Sequence, residues 1–351
     1  MQDSVLQANP ETRRLEIDGL RVVAMIGVLY VHFWNKNHGM EHLRVSLFFV
    51  VSGFIITMTL LKAKDGPGHV NIRNFYIRRA LRLFPALFMA LFVACLFDMA
   101  GIRASILWHL AQLSNAHFVL QEDWSPWVAA HLWSLNIVEQ FYVICPLAVF
   151  ALTRRRLMGF FAAVMLTSII LRLIILNSGI NNWHTILVTF DPIAAGCLLA
   201  MVKDNKVVRS LLTNHANLVV GGLFVLSPIL FLEGFGSTIA YRMVTVYALA
   251  SIVLRAYVGF GGVARTLFTN ASIRFLSKIS YGIYVYHFFL WWLAGSVFHD
   301  LYRPGAQAFF VMTALTVIVA TLSWYGVERH FDRLKVFFPL TGTAPNKVGA
   351  V

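Results

Sequence analysis

Arg21 and His32 are the residues of this chain whose type and setting most strongly suggest chemistry. The ten residues between them, Val22 to Val31, carry no charge. On a helix, eleven residues are close to three whole turns, so both side chains share one face and lie about 16 Å apart along the axis. An ionisable group inside a bilayer is costly and is by default a functional hypothesis, although a His near a helix end can simply reach water. A neutral imidazole titrates near neutral pH, so His32 suits acceptance of a proton from a hydroxyl that attacks a thioester. It is equally suited to carry the acyl group itself.

Four more clusters have a chemical reading beside a plainer one. Ser52 and Gly53 interrupt bulky aliphatic and aromatic residues that run from Leu47 through Phe54. Small pairs of this kind let helices approach closely, and they also leave room to line a channel for an acyl chain. No Gly-x-Ser-x-Gly elbow surrounds Ser52, so it is not read as a hydrolase nucleophile. Arg79 and Arg82, within Arg78-Arg79-Ala80-Leu81-Arg82, are neighbours on a helix. Guanidinium groups grip phosphate in a bidentate manner, and the same charges could equally set topology or meet lipid headgroups. Asn136, Glu139 and Gln140 are polar groups in an apolar run, which predicts a polar cavity there. Tyr284 and His287, at i and i+3, suit either a structural hydrogen bond or catalysis.

These residues must be positioned by membrane-spanning helices. The 351 residues are 58% hydrophobic and only 13% charged, against about 25% charged in ordinary soluble domains. A spanning helix needs about 20 mostly apolar residues. Runs of that kind lie near Leu20–Trp34, Leu43–Leu61, Leu83–Ile102, His131–Leu152, Met158–Leu176, His184–Met201, Ala216–Leu232, Ser237–Leu254, Phe275–Val297 and Ala306–Val327. The expected fold is therefore all-α and polytopic, with about ten spans. With the N-terminus inside, 23 of the 29 Lys and Arg fall in cytoplasmic segments, and Lys36, Arg44, Arg103, Arg172, Arg242 and Arg303 do not. Both termini are then cytoplasmic by the positive-inside rule. The same rule accounts for the net charge of +13, so no nucleic-acid partner is expected.

The polar N-terminus lacks the apolar core of a cleavable signal, and residues 1–351 are read as one membrane domain. Outside the bilayer, Arg103 to Ala130 form a longer loop with Trp124 and Trp127, which suit either sugar contact or interfacial anchoring. Cys95, Cys145 and Cys197 are odd in number, lie in apolar runs and have no metal-ligand spacing, so no metal site is expected. Neither a Gly-x-x-x-x-Gly-Lys loop nor a Gly-x-Gly-x-x-Gly fingerprint is present, which argues against nucleotide-driven pumping. No His is followed five positions later by Asp, which sets aside the His-x4-Asp glycerolipid acyltransferases.

In their order and spacing, Asp18-Gly19-Leu20-Arg21 with His32, Ser52-Gly53-Phe54, Arg79 with Arg82, Leu132-Trp133-Ser134-Leu135 with Gln140-Phe141-Tyr142, and Ser280-Tyr281-Gly282-Ile283-Tyr284 resemble the acyltransferase-3 family of membrane O-acyltransferases. The resemblance implies transfer of an acyl group, acetyl above all, from cytoplasmic acyl-CoA to a hydroxyl of a cell-surface or exported carbohydrate such as lipopolysaccharide, exopolysaccharide or peptidoglycan, in the inner membrane. It implies catalytic roles for His32, Arg21 and Glu139, and coenzyme A contacts for Arg79, Arg82, Ser52, Gly53 and Phe54. The family's acid position is Val138 here, with Glu139 one residue on, a step of about 100° around a helix. An appended hydrolase-like domain, common in the family, is not expected in this chain. Two rival classes stay open: a secondary transporter that binds its substrate through His32, Arg21 and Glu139, and a non-catalytic partner of a polysaccharide synthase. Oligomeric state is not legible.

Overall fold

The computed structural model describes residues 10–35, 38–66, 70–178, 186–214, 221–222 and 239–341. Among the described residues the fold is all-helical, with one isolated bridge between Val70 and Thr341. The helices that position the site are α1 (Pro10–Phe33), α2 (His38–Asp65), α3 (Ile72–Leu96), α4 (Ile106–Leu110), α5 (Ser114–Gln121), α6 (Leu132–Ala151), α7 (Arg154–Asn177), α8 (Asp191–Val202), α9 (Lys206–Thr213), α10 (Ile239–Val258), α11 (Gly262–Thr269), α12 (Ala271–Val297) and α13 (Ala306–Ser323).

Local sequence sets several of these boundaries. Asn71, Thr153, Asn205 and Asn270 lie just before α3, α7, α9 and α12, and each side-chain oxygen accepts a backbone N–H from the first turn. That satisfies donors which the helix itself leaves unpaired. Pro192 sits in the first turn of α8, where its missing N–H costs nothing. Beyond α13 a π-turn runs from Trp324 to Glu328, a local widening of the helix that tends to occur at functional sites.

Six helices among the described residues are long and apolar enough to cross a membrane: His42–Asp65, Ile72–Leu96, Leu132–Ala151, Arg154–Asn177, Tyr241–Val258 and Ala306–Phe337. The protein is a multi-pass membrane protein. Two further expected spans coincide with α1 and α12, which carry Arg21, His32, Tyr284 and His287. The described part of the run near His184–Met201 is the twelve-residue α8, too short for a full crossing. The run near Ala216–Leu232 lies outside the described residues apart from 221–222. The run expected near Leu83–Ile102 is displaced, because α3 begins at Ile72 and carries Arg79 and Arg82 within its own first turns.

Lipid-facing and packed surfaces divide as a bilayer demands. On α7 the apolar residues Leu166, Ile170 and Ile174 are exposed, whereas α2 is largely buried. The closest crossing joins α2 to α8 through reciprocal glycines. A Cβ added at Gly53 would overlap the Ile193 carbonyl oxygen, and one at Gly196 would overlap the Val50 carbonyl oxygen. In hydrocarbon such small residues permit direct backbone approach. A second hairpin-like contact joins α1 to α2, where a Cβ on Gly27 would meet Arg44 Cβ at 3.4 Å. At the start of α3, Asn74 donates to the Pro339 carbonyl (2.8 Å) and Arg78 to that of Lys335 (2.7 Å). The C-terminal strap thus employs Arg78 structurally and leaves Arg79 and Arg82 to face the bundle.

Candidate active site

His32 occupies the last turn of α1. Its Nε2 lies 2.9 Å from Nη2 of Arg44 on α2, and its Nδ1 lies 2.8 Å from Nε2 of His287 on α12. The tautomers follow from the one fixed donor. A guanidinium only donates, so His32 Nε2 is the unprotonated nitrogen and Nδ1 carries the proton. That proton is donated to His287 Nε2, and His287 Nδ1–H donates to the Tyr284 carbonyl at 2.5 Å. The two imidazoles stack with centroids 5.0 Å apart and an interplanar angle of 8°. His287 is fully buried and Arg44 nearly so. The arrangement fixes the ring of His32 and leaves its basic nitrogen at Arg44.

Tyr284 extends the network to α6. Its hydroxyl donates to the His131 carbonyl (2.6 Å) and lies 2.6 Å from Ser134 Oγ. The Trp-Ser-Leu and Ser-Tyr-Gly segments, 150 residues apart for this pair, therefore meet at one hydrogen-bonded junction beside His32.

Two cavities share that junction. The larger, about 500 Å³, is walled by His32 and Arg44 and by Trp124, Trp127, Trp133 and Trp291. A small cavity of about 40 Å³ is lined by Arg21, Met25, Phe48 and Tyr281, and it shares Arg44, Ser134 and Tyr284 with the larger cavity. Arg21 thus lines the smaller cavity and His32 the larger, with Arg44 in the wall of both. Trp124 and Trp127, in the segment between Arg103 and Ala130, form walls of the large cavity. That segment is pinned by His109, which is fully buried, 3.1 Å from Ser105 Oγ and 2.8 Å from Ser114 Oγ. Burial, with a smaller contribution from nearby His117, pushes the His109 imidazole down to about 4 and keeps it neutral.

Arg21, on the wall of the smaller cavity, belongs to a cluster of arginines. Arg82 lies within electrostatic reach of Arg21 and Arg79 and of the acids Asp18, Asp332 and Glu328. Arg21 is 3.7 Å from Asp18. The Arg79 guanidinium carbon sits 3.6 Å above the Tyr142 ring, and Ser52 lies beside Tyr142. Arg79 Nη2 is 3.9 Å from Glu139 Oε1, beyond hydrogen-bond contact, and both Arg79 Nε and Glu139 Oε1 are buried without a hydrogen-bond partner. Orphaned buried donors beside concentrated positive charge fit an oxyanion ligand such as phosphate.

The residues singled out in the sequence therefore separate into groups. His32, His287, Tyr284, Trp124 and Trp127 come together at the large cavity. Arg21, Arg79, Arg82 and Glu139 gather at the arginine cluster, and Glu139 pairs with Arg79 rather than with His32. Val138 is buried in the α2–α6–α7–α8 core, so the acid one residue later is the one that points at Arg79. Ser52 reaches this cluster through Tyr142. Gly53 is occupied by the α8 backbone, and Phe54 packs edge-on against Tyr257 at 5.4 Å. Arg44 is the residue that sequence reasoning passed over. Its signal was present: it is one of six basic residues outside the expected cytoplasmic segments.

A family model described as an acyltransferase domain matches residues 14–325. A Staphylococcus aureus (strain COL) protein provisionally named an O-acetyltransferase is 29% identical over 90% of this chain and 57% of its own length. YrhL of Bacillus subtilis, provisionally named a peptidoglycan O-acetyltransferase, is 27% identical over 89% of this chain and 54% of its own length. The Listeria monocytogenes peptidoglycan O-acetyltransferase OatA is 27% identical with the same two coverages, 89% and 54%. The chain thus spans little more than half the length of the curated relatives it matches. No solved structure matches it. The family match runs from before Arg21 to the π-turn after α13 and takes in both cavities and the arginine cluster, so the chain belongs to the acyltransferase-3 family.

Proposed function

We propose that the protein is a membrane O-acetyltransferase that moves an acetyl group from cytoplasmic acetyl-CoA to a hydroxyl of a carbohydrate at the opposite membrane face. In this reading about ten helices cross the inner membrane and both termini are cytoplasmic. The observation that carries it is the placement of His32: its basic nitrogen is held by Arg44, which walls both an aromatic-lined cavity and a small cavity that Arg21 also lines. Aromatic faces suit the apolar C–H faces of a sugar, and four tryptophans wall the large cavity. Arg79, Arg82 and Arg21 suit the phosphates of coenzyme A, which supports a donor at the arginine end and an acceptor at the tryptophan end. The related peptidoglycan O-acetyltransferases support a cell-surface glycan as acceptor. Exopolysaccharide and lipopolysaccharide sugars carry the same hydroxyl chemistry.

His32 acts as general base in this reading. Its Nε2 takes the acceptor hydroxyl proton as the oxygen attacks, while His287 and the Tyr284 carbonyl hold the ring through Nδ1. Glu139 balances Arg79 and sets the charge of the cofactor end rather than taking part in proton transfer. The test is coenzyme A release from acetyl-CoA by purified protein, with and without glycan acceptors, in wild type, His32→Ala and Arg21→Ala. Acceptor-dependent release that falls about 100-fold or more in His32→Ala is expected, in the range usual for a lost general base. Unchanged turnover in that variant sinks the role of His32. Absence of turnover with every acceptor points to transport instead.

A further inference from the structure

Arg44 is a buried cation in the outer half of the bundle, where the remaining chain is poor in Lys and Arg. Arg44 lines both the small and the large cavity, and its Nη2 donates directly to the basic nitrogen of His32. Such a group is expensive to place at membrane depth unless it is used. His32 does not need it for orientation, since His287 already fixes the ring through Nδ1.

We propose that Arg44 is a catalytic residue, the one that stabilises the oxyanion of the acyl-transfer intermediate; this rests on the O-acetyltransferase reading above. In the resting arrangement Arg44 occupies His32 Nε2 and masks the base. An acceptor hydroxyl entering from the large cavity takes that position, and the displaced guanidinium remains in the wall common to both recesses. A thioester carbonyl arriving from the small cavity meets it there. The hydroxyl oxygen then forms a bond to the carbonyl carbon, the π pair moves onto the carbonyl oxygen, and the hydroxyl proton passes to His32 Nε2. The N–H groups of Arg44 hold the developing oxyanion. As the C=O re-forms, the C–S bond breaks and His32 returns its proton to the departing sulfur. The products are the sugar ester, the free thiol of coenzyme A and neutral His32.

The chemistry suits arginine in particular. A guanidinium stays charged at every relevant pH and presents several N–H donors in a fixed plane, so it stabilises an oxyanion without competing as acid or base. Masking also limits wasteful reaction, because the base is released only by a group that can displace Arg44.

The test compares wild type, Arg44→Ala, Arg44→Lys and His32→Ala in the acceptor-dependent release assay, with coenzyme A binding by titration as the check on folding. Arg44→Ala is expected to lower kcat by about 100- to 1,000-fold, the usual loss for one oxyanion donor, with KM for acetyl-CoA and its binding within about three-fold of wild type. Added guanidinium ion is expected to restore kcat partially to Arg44→Ala and not to His32→Ala. Arg44→Lys, which keeps a charge but not the fork, is expected to fall between wild type and Arg44→Ala. A kcat for Arg44→Ala within about three-fold of wild type, or a loss confined to KM, overturns the proposal while leaving the acyl-transfer reading intact. Wild-type protein without acceptor-dependent release overturns both.

Discussion

At the scale of single residues, the arginine end and the histidine end of the site differ in the charge they carry. The arginine end carries delocalised cations with two acids close by, Asp18 at 3.7 Å from Arg21 and Glu139 at 3.9 Å from Arg79. The histidine end carries neutral rings whose protons are assigned by a chain of donors ending on a backbone carbonyl. Replacing Arg79 or Arg82 by Gln is therefore expected to raise KM for acetyl-CoA by about ten-fold, the cost of one charge-assisted bond, and to leave kcat nearly unchanged. Steady-state kinetics with acetyl-CoA varied at saturating acceptor checks this. A fall in kcat with constant KM moves these arginines to the reacting centre. Arg21 and His32 were legible in sequence because ionisable groups interrupt or flank an apolar run. The role of Arg44 was not, because only the pairing of α1 with α2 brings it to His32 Nε2.

At the scale of elements, the Ser-Gly-Phe segment shows how one motif serves two surfaces of one helix. Successive residues point about 100° apart, so Ser52 can reach Tyr142 while Gly53 meets the α8 backbone and Phe54 meets Tyr257. The sequence could not choose between packing and channel lining for Ser52-Gly53; the position of α8 decides it for Gly53. Because the atoms opposite Gly53 and Gly196 are backbone carbonyls, no rotamer change can relieve an added methyl. Gly53→Ala and Gly196→Ala are each expected to destabilise the fold by about 1–3 kcal/mol, the typical cost of overpacking. Thermal unfolding in detergent checks it. Gly159→Ala, where nothing lies within 4 Å of the added carbon, is the control expected to show no loss. A Gly196→Ala midpoint equal to that of Gly159→Ala contradicts the close crossing.

At the scale of the whole molecule, the bias of basic residues predicts the orientation. If the N-terminus is cytoplasmic, Gln121 faces outward and Arg155 inward, and both are exposed. In a chain with Cys95, Cys145 and Cys197 replaced by Ala, Gln121→Cys is expected to react with an impermeant maleimide on intact spheroplasts. Arg155→Cys is expected to react only after permeabilisation. The reverse pattern inverts the donor and acceptor faces. What the sequence by itself determined is the class of the protein: composition fixed a helical membrane fold, and spaced motifs carried the family, because both depend on local order along the chain. Tertiary structure alone decided which motif residues meet. Arg44, His32 and His287 come from three helices, and Ser134 and Tyr284 from a fourth and the third again. Their contacts depend on how helices cross, and hydrophobic periodicity records which side of a helix is apolar without recording which helix lies against it.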